Sequence, residues 1–277
     1  MAAINDENSP QSRQFFLDGP GGTGKTFLYN TLINVLQGEG KKIIAVASTG
    51  IASTLLIDGA TYHSQFKIYP PITETTRSKI EEHHFSAKLI RDAALIIEDG
   101  ATVMTNHALN AIKHVTEKVT KNNKPYGNKV LLLGGDFRQC LPVVKHGNRV
   151  KVVEATIKYC ESWSTFLHLR LTENMRTTAG SQEYANWLIE LGNKTLPTTT
   201  NLSSDVVEIP PDFLITEEYA KSLNITGDQD PRINALIHHV FGDPKHVLDQ
   251  DISEKVNSHA ILCPKNDECL KINNAII

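Results

Sequence analysis

Residues 19–26 spell GPGGTGKT, and this segment constrains the fold more than any other in the chain. The apolar run Phe15–Leu17 comes directly before it, and the apolar pairs Phe27-Leu28 and Leu32-Ile33 follow at helical spacing. This order predicts a buried strand, a phosphate-binding loop and an amphipathic helix. The alternative is a plain glycine-rich turn.

The residue types in this loop suit a nucleotide with its magnesium ion. Backbone N–H groups of a glycine-rich loop can surround a polyphosphate, and the positive end of a helix beginning near Lys25 points at the same anion. Lys25 would supply a positive charge to the β and γ phosphates, and the Thr26 hydroxyl would be a ligand for Mg²⁺. The predicted nucleotide-binding residues are Gly19, Gly21, Gly22, Thr23, Gly24, Lys25 and Thr26.

Short apolar runs alternate with helical patterns along the first half of the chain. This alternation predicts an α/β fold with a parallel sheet covered by helices on both faces. In such sheets, ligands bind at the carboxyl ends of the strands. We therefore expect Ser48–Gly50, Asp99 and Gly134–Asp136 on the same rim as the phosphate loop. The predicted strands are Ile43–Ala47, Leu95–Ile97 and Val130–Leu133, and the predicted helices are Lys25–Gln37 and Asn106–Val119.

The pattern restarts after a strand at His168–Leu171, which predicts a domain boundary near Arg176, with domains at residues 1–176 and 177–277. The last predicted helix reaches Ile277 without a cap or a closing strand, so the second domain is expected to be incomplete. Its predicted elements are helices at Ser181–Leu191, Pro231–Val240 and Asn266–Ile277, and strands at Val206–Ile209 and Ala260–Leu262.

Composition excludes several classes of protein. The chain has 277 residues, a net charge of −3 and four scattered cysteines, so neither a strongly basic surface nor a disulfide framework is indicated. The polar first ten residues do not resemble a secretion signal, and no apolar run approaches the ~20 residues of a membrane span. We expect no membrane partner, and any contact with nucleic acid must come from a local face.

Asp99 follows a predicted strand and is expected to hold Mg²⁺ beside the phosphate loop, although such an acid can also be a simple turn former. In motor ATPases the next position usually carries a glutamate that orients the attacking water, and in this chain that position is Gly100. Glu98 is a poor substitute, because successive side chains of a strand point to opposite faces. Since losing a positioned base costs about 10²–10⁴ in rate, we expect impaired turnover.

Two further segments offer groups for the γ phosphate. Residues 134–143 read GGDFRQCLPV, in which Gln139 could sense that phosphate through its amide, although a glycine- and proline-rich surface turn is an equal alternative from spacing alone. Arg176 ends the segment LTENMR and could serve as an arginine finger. A structural salt bridge between domains is the alternative for Arg176.

Five motifs together resemble the PIF family of superfamily-one DNA helicases, including the relatives carried by Helitron transposons. The resemblance extends over essentially the whole chain from Phe15 onward. It implies two RecA-like domains that move 5′ to 3′ along single-stranded DNA using ATP, in DNA repair, recombination and telomere maintenance. The motifs are FFLDGPGGTGKT at 15–26, ASTGIAS at 47–53, GATYHSQF at 59–66, GGDFRQCLPV at 134–143 and LTENMR at 171–176.

The resemblance also implies roles for individual residues. Lys25, Thr26 and Asp99 match the family's phosphate and Mg²⁺ ligands, Gln139 its sensor and Arg176 its arginine at the domain cleft. A second group falls in segments that line the single-strand path, where Phe66 or Tyr62 could stack on a base or belong to the core. The DNA-binding candidates are Thr49, Gly50, His63 and Phe66.

These expectations lead to one principal hypothesis and three alternatives. The principal one is an ATP- and Mg²⁺-dependent helicase acting on single-stranded DNA and duplex junctions, expected in the nucleus or alternatively the mitochondrion. Gly100 and the absence of the family's carboxyl-terminal motifs favour a non-hydrolysing module that binds ATP and DNA, or a decayed transposon-derived fragment. A different enzyme with a phosphate loop, such as a small-molecule kinase, is disfavoured by the GGDFRQCLPV motif. Nothing in the sequence indicates the oligomeric state.

Overall fold

A computed structural model describes residues 1–6, 12–176, 182–197, 206–223, 230–242 and 258–276. The chain divides into two compact units, Met1–Leu196 and Pro197–Ile277. No helix within the described residues is long and apolar enough to cross a membrane.

The first unit is built on a six-stranded sheet with the order β3-β2-β4-β5-β1-β6. Every pair of neighbouring strands is parallel. The four central strands are rich in Val, Ile, Leu and Phe, as expected for strands that are buried on both faces. The strands are β1 (Gln14–Asp18), β2 (Lys42–Ala47), β3 (Ala60–Thr61), β4 (Ala93–Asp99), β5 (Val130–Gly135) and β6 (Leu167–Arg170).

Helices cover this sheet on both faces, which confirms the predicted fold class. Phe16, Ile96 and Leu131 belong to one buried cluster, while Leu17 and Ile97 belong to the other. Adjacent strand residues thus enter opposite cores, as the two-residue period of a strand requires. The helices of this unit are α1 (Ala2–Asn5), α2 (Lys25–Gly38), α3 (Gly50–Thr54), α4 (Tyr62–Phe66), α5 (Phe85–Asp92), α6 (Asn106–Thr120), α7 (Arg149–Glu154) and α8 (Gln182–Asn193).

The first compact unit ends at Leu196 rather than at the predicted boundary near Arg176. Helix α8 belongs to it, because Gly192 lies so close to the segment after β5 that an added Cβ would be 2.8 Å from the Arg138 Cβ. Ser181, the predicted first residue of this helix, lies outside the described residues. The assignment of the two parts of the chain as separate domains stays a prediction.

The described residues of the second unit form helices, and the two strands predicted there are not present as strands. Val206–Ile209 contains a single bridge residue, Val207, and Ala260–Leu262 has no strand structure. Both segments have the apolar residues of a strand, but a strand also needs a partner, and local sequence does not specify one. The helices are α9 (Glu217–Ser222), α10 (Pro231–Phe241) and α11 (Asn266–Ile276).

Candidate nucleotide-binding site

The carboxyl ends of three neighbouring strands place the predicted site residues on one rim. In the parallel register, Asp18 pairs with Gly135 and Asp99 pairs with Gly134, so these strands end at the same level. The phosphate loop begins directly after Asp18, and α2 begins at Lys25. A cavity of about 520 Å³ opens there, lined among others by Gly21, Gly22, Gly24, Lys25, Thr26, Asp99, Asp136, Gln139 and Arg176.

The phosphate loop has a backbone conformation that favours glycine. Gly22 and Gly24 have φ values of 85° and 86°, in the left-handed region that other residues rarely adopt. Gly22 also lies against the segment before Arg176, because its carbonyl accepts a hydrogen bond of 2.8 Å from the Met175 N–H. The plain glycine-rich turn is therefore not what forms here, since the loop joins a buried strand to a helix N-terminus.

The Lys25 ammonium is held at the mouth of the loop. Its Nζ donates to the carbonyl oxygens of Gly19 at 2.6 Å and Pro20 at 3.1 Å. Burial lowers the pKa of Lys25, while the negative charges of Asp99, Asp136 and Asp18 oppose that shift. The cation is thus partly desolvated beside the loop, where its attraction to a phosphate is stronger than in water.

Asp99 and Thr26 form a donor set that fits Mg²⁺. Asp99 is the last residue of β4, and its Oδ1 accepts a 3.0 Å hydrogen bond from the Gly100 N–H. Burial raises the pKa of this carboxyl, and the nearby Lys25 opposes the rise. The described residues contain no cluster of three or more His, Cys, Asp or Glu side chains able to hold a metal ion. One carboxylate and one hydroxyl instead suit a Mg²⁺ that completes its shell with phosphate oxygens and water.

Position 100 brings no carboxylate to the cavity, and the nearby Glu98 does not face it. Gly100 lines the cavity with a φ of 75°, whereas Glu98 does not line it and is 1% exposed. Glu98 Oε1 lies 2.9 Å from the Ser48 hydroxyl, and its Oε2 has no hydrogen-bond partner in the described residues. The position of Glu98 agrees with the expectation that it is a poor substitute for a base at the cavity.

We expect the native chain to become less stable as pH rises, and we expect the Glu98→Gln variant not to show this decrease. Burial raises the folded-state pKa of Glu98 well above its usual value of 4.5. A raised carboxyl pKa means that the folded state keeps its proton longer, so the free energy of unfolding decreases as pH rises above about 4.5. Glutamine cannot ionise, so Glu98→Gln should escape this loss, which is about 1.4 kcal/mol for each pH unit between the unfolded and folded pKa values, and it should be the more stable protein at pH 8.

Urea unfolding at pH 5 and pH 8 measures this difference. Glu74→Gln is the control, because the Glu74 side chain is exposed and its removal should leave the pH dependence unchanged. Equal pH slopes in Glu98→Gln and the native chain would show that Glu98 is not the buried acid responsible.

Gln139 and Arg176 both reach the cavity predicted for them. The Gln139 amide Nε2 donates to Asp136 Oδ2 at 3.0 Å. The backbone N–H of Arg176 donates to Asn174 Oδ1 at 2.9 Å, and its exposed side chain lines the cavity beside the phosphate loop. Arg176 forms no salt bridge among the described residues of the first unit, and its role as an arginine finger stays a prediction.

The residues predicted to contact DNA do not all have accessible side chains. Thr49 caps α3 by accepting a hydrogen bond from the Ala52 N–H, and Gly50 follows it on the exposed rim. His63 is half-buried and stacks on Tyr62 with ring centroids 3.8 Å apart. Stacking of Phe66 or Tyr62 on a base is wrong for this structure, because the two rings are 0% and 5% exposed and pack in the core.

A charged network beside Gln139 was not anticipated from the sequence. Arg138 forms salt bridges with Asp136 at 2.5 Å and Asp18 at 3.2 Å, and all three side chains are mostly buried. The signal available was a basic residue between two potential ligands in GGDFRQ, but pairing with Asp18 requires knowing that β1 and β5 are neighbours.

The sequence of the chain is similar to that of known proteins. The sequence model of the family described as PIF1-like helicase matches residues 1–201. The ATP-dependent DNA helicase PIF1 of Candida albicans is 27% identical over 234 residues, which cover 80% of this chain and 26% of that protein. The chain thus spans about a quarter of the length of such curated relatives.

Two solved structures of Bacteroides Pif1 share the fold at 26% sequence identity. One, bound to single-stranded DNA, has a TM-score of 0.57 and is matched over 69% of this chain and 45% of that chain. The other, in complex with ADP-AlF3 and single-stranded DNA, has a TM-score of 0.59 and is matched over 71% and 45%.

Proposed function

Because this chain belongs to the family of PIF1-like helicases, we propose that it binds ATP with Mg²⁺ and couples the nucleotide to single-stranded DNA as a 5′-to-3′ helicase or translocase. One observation carries this proposal: a single rim of the sheet gathers Lys25, Thr26, Asp99, Gln139 and Arg176 around one cavity. These are the groups that phosphoryl transfer needs, since its catalysis consists largely of positioning and charge stabilisation.

Each residue has a physical role in this proposal. Backbone N–H groups of the phosphate loop and the Lys25 ammonium bind the β and γ phosphates, while Arg176 stabilises charge that develops on the γ phosphate. Thr26 and Asp99 would hold Mg²⁺, which neutralises charge on the phosphate oxygens when bound. Gln139 reports the presence of the γ phosphate through its amide.

Turnover is proposed to be impaired. Gly100 provides no carboxylate to orient the attacking water, and Glu98 is buried away from the cavity. The same observation favours a second candidate function, a module that binds ATP and DNA without hydrolysis. Nucleotide binding is expected in both cases, because it depends on the phosphate loop rather than on a base.

The wider assignment follows the family resemblance and stays a proposal. The residues after Leu196 are proposed to be part of a second RecA-like domain, with single-stranded DNA and duplex junctions as partners. The proposed processes are DNA repair, recombination and telomere maintenance, in the nucleus or the mitochondrion. Localisation of the tagged chain and its recovery with damaged or telomeric DNA test these assignments.

Lys25→Ala is expected to weaken ATP binding by about 10- to 100-fold, because a hydrogen bond to a charged group contributes about 1.5–3 kcal/mol. Titration with a fluorescent nucleotide measures the affinity, and single-turnover phosphate release with and without single-stranded DNA measures hydrolysis. Phosphate release that exceeds the Lys25→Ala level and is stimulated by DNA supports the helicase. Nucleotide binding without phosphate release supports the module.

Lys118→Ala is the matched control, since Lys118 is exposed on α6 and does not line the cavity. Equal ATP affinity of all three proteins would contradict the proposed site. DNA binding is followed by anisotropy of a labelled oligonucleotide, which should weaken as salt rises because phosphate contacts release counterions.

A further inference from the structure

We propose that Arg138 is a positioning residue that fixes the carboxamide of Gln139 at the cavity, and that this fixed amide is what distinguishes ATP from ADP. The inference rests on the proposed function, because it needs a nucleotide in the cavity that Lys25 and Gln139 line. It concerns how the side chain of Gln139 is held rather than which residue meets the γ phosphate.

The first step is the way Asp136 is held between two donors. Arg138 Nε contacts Asp136 Oδ1 at 2.5 Å, and Gln139 Nε2 contacts Asp136 Oδ2 at 3.0 Å. The backbone N–H of Arg138 donates to the same Oδ1 at 3.1 Å. Since each carboxylate oxygen has its own donor, Asp136 is restrained from rotating about its side-chain bond.

The restrained carboxylate in turn orients the amide of Gln139. A carboxylate only accepts hydrogen bonds, so Gln139 must present its NH₂ group and not its oxygen to Asp136. Because the amide is planar, the direction of the bonded N–H sets the direction of the second N–H. The amide thus has one orientation on the wall of the cavity that Gly21 and Lys25 also line.

The second step is an anchor on the strand before the phosphate loop. Arg138 Nη2 contacts Asp18 Oδ1 at 3.2 Å, and Asp18 directly precedes Gly19. The planar guanidinium forms a rigid fork, so one side chain spans the ends of β1 and β5 at a set separation. Helix α8 confines Arg138 further, since an added Cβ on Gly192 would lie 2.8 Å from its Cβ.

Removing the Arg138 guanidinium would leave two mostly buried carboxylates beside Lys25. Asp18 and Asp136 are 19% and 5% exposed, and the charge of each already acts on Lys25. Without the guanidinium, Asp136 Oδ1 would keep only the backbone N–H of position 138 as a donor, so its plane would be held less firmly and its attraction to Lys25 would be unbalanced. The amide of Gln139 would then no longer have one orientation.

The test compares the affinities for ATP and ADP in Arg138→Met by isothermal titration with Mg²⁺ present. We expect ATP binding to weaken by about 10- to 100-fold, the effect of one lost hydrogen bond to a charged phosphate. ADP binding should change by less than about threefold, because it depends on the phosphate loop. Gln139→Ala should show the same change, and the double variant Arg138→Met with Gln139→Ala should show no further loss.

Arg170→Met is the matched control. Arg170 Nε also contacts Asp18, at 3.3 Å, but it is 70% exposed and makes no contact with Asp136. Its ratio of ATP to ADP affinity should equal that of the native chain. Arg138→Lys keeps a cation between the two carboxylates without the fork, and should show an intermediate ratio even if Arg138→Met does not fold.

The outcomes separate this inference from the proposed function. A native chain that binds neither nucleotide overturns the proposed function, and the inference with it. A native chain that binds both, together with an unchanged ratio in Arg138→Met and Arg138→Lys, overturns the inference alone. Equal loss of ATP and ADP affinity also overturns it, because Arg138 would then support the phosphate loop and not the sensor.

Discussion

Gly100→Glu is expected to raise single-turnover ATP hydrolysis by about 100-fold, the lower end of what a positioned general base contributes. Position 100 directly follows Asp99 and lines the cavity with Lys25 and Thr26. A carboxylate there would be near the attacking water, whereas Glu98 is buried away from it. Single-turnover phosphate release in the presence of single-stranded DNA measures the change.

The backbone conformation at position 100 explains why we expect a rate gain at the lower end of this range. Gly100 has a φ of 75°, and an L-residue in the left-handed region costs roughly 1–2 kcal/mol. Space is not limiting, because the nearest atom to an added Cβ is the Ser48 Cβ at 3.7 Å. The glutamate therefore fits, but part of its benefit is lost to a strained turn or to a shift of the Asp99 carboxylate.

Gly100→Ala is the matched control, since it introduces the same backbone strain without a carboxylate. We expect both variants to lose similar stability and only the glutamate variant to gain rate. Equal rates in the two variants would contradict the proposal that a missing base limits hydrolysis. Another group of the site would then limit the rate.

The α/β fold was predictable because its signals are local. Apolar runs such as Ile43–Ala47 and Val130–Leu133 are short and continuous, which indicates strands buried on both faces. Strands that are connected by helices run parallel to each other, and the carboxyl ends of parallel strands lie on one rim of the sheet. This is why the sequence alone predicts that Lys25, Asp99 and Gln139 lie together.

Features that depend on contacts between distant segments could not be predicted in the same way. The salt bridge between Arg138 and Asp18 forms because β1 and β5 are neighbours, which the order of residues does not state. Phe66 looked like a candidate for base stacking, yet it packs in the core under the sheet. In each case the deciding fact is which face of an element meets which other element.

Gly134→Ala is expected to destabilise the fold by about 3 kcal/mol or more, at the upper end of the cost of overpacking a core. Gly134 lies in β5, and a Cβ there would overlap the Tyr29 hydroxyl and approach its Cζ to 2.7 Å. Tyr29 is fully buried in α2, so its ring has no free space to move into. Urea denaturation measures the loss, and the thermal midpoint should fall by roughly 10 °C.

The collision can be separated from a general loss of strand stability by a double-mutant cycle with Tyr29→Phe. The Tyr29 hydroxyl is buried without a hydrogen-bond partner in the described residues, so its removal alone should be neutral or stabilising. In the double variant the overlapping oxygen is gone but the Cζ remains, so only part of the stability should return.

Gly38→Ala is the control, because nothing lies within 4 Å of an added Cβ in that helix and alanine favours helix. Additive effects of Gly134→Ala and Tyr29→Phe would contradict a direct collision between position 134 and α2.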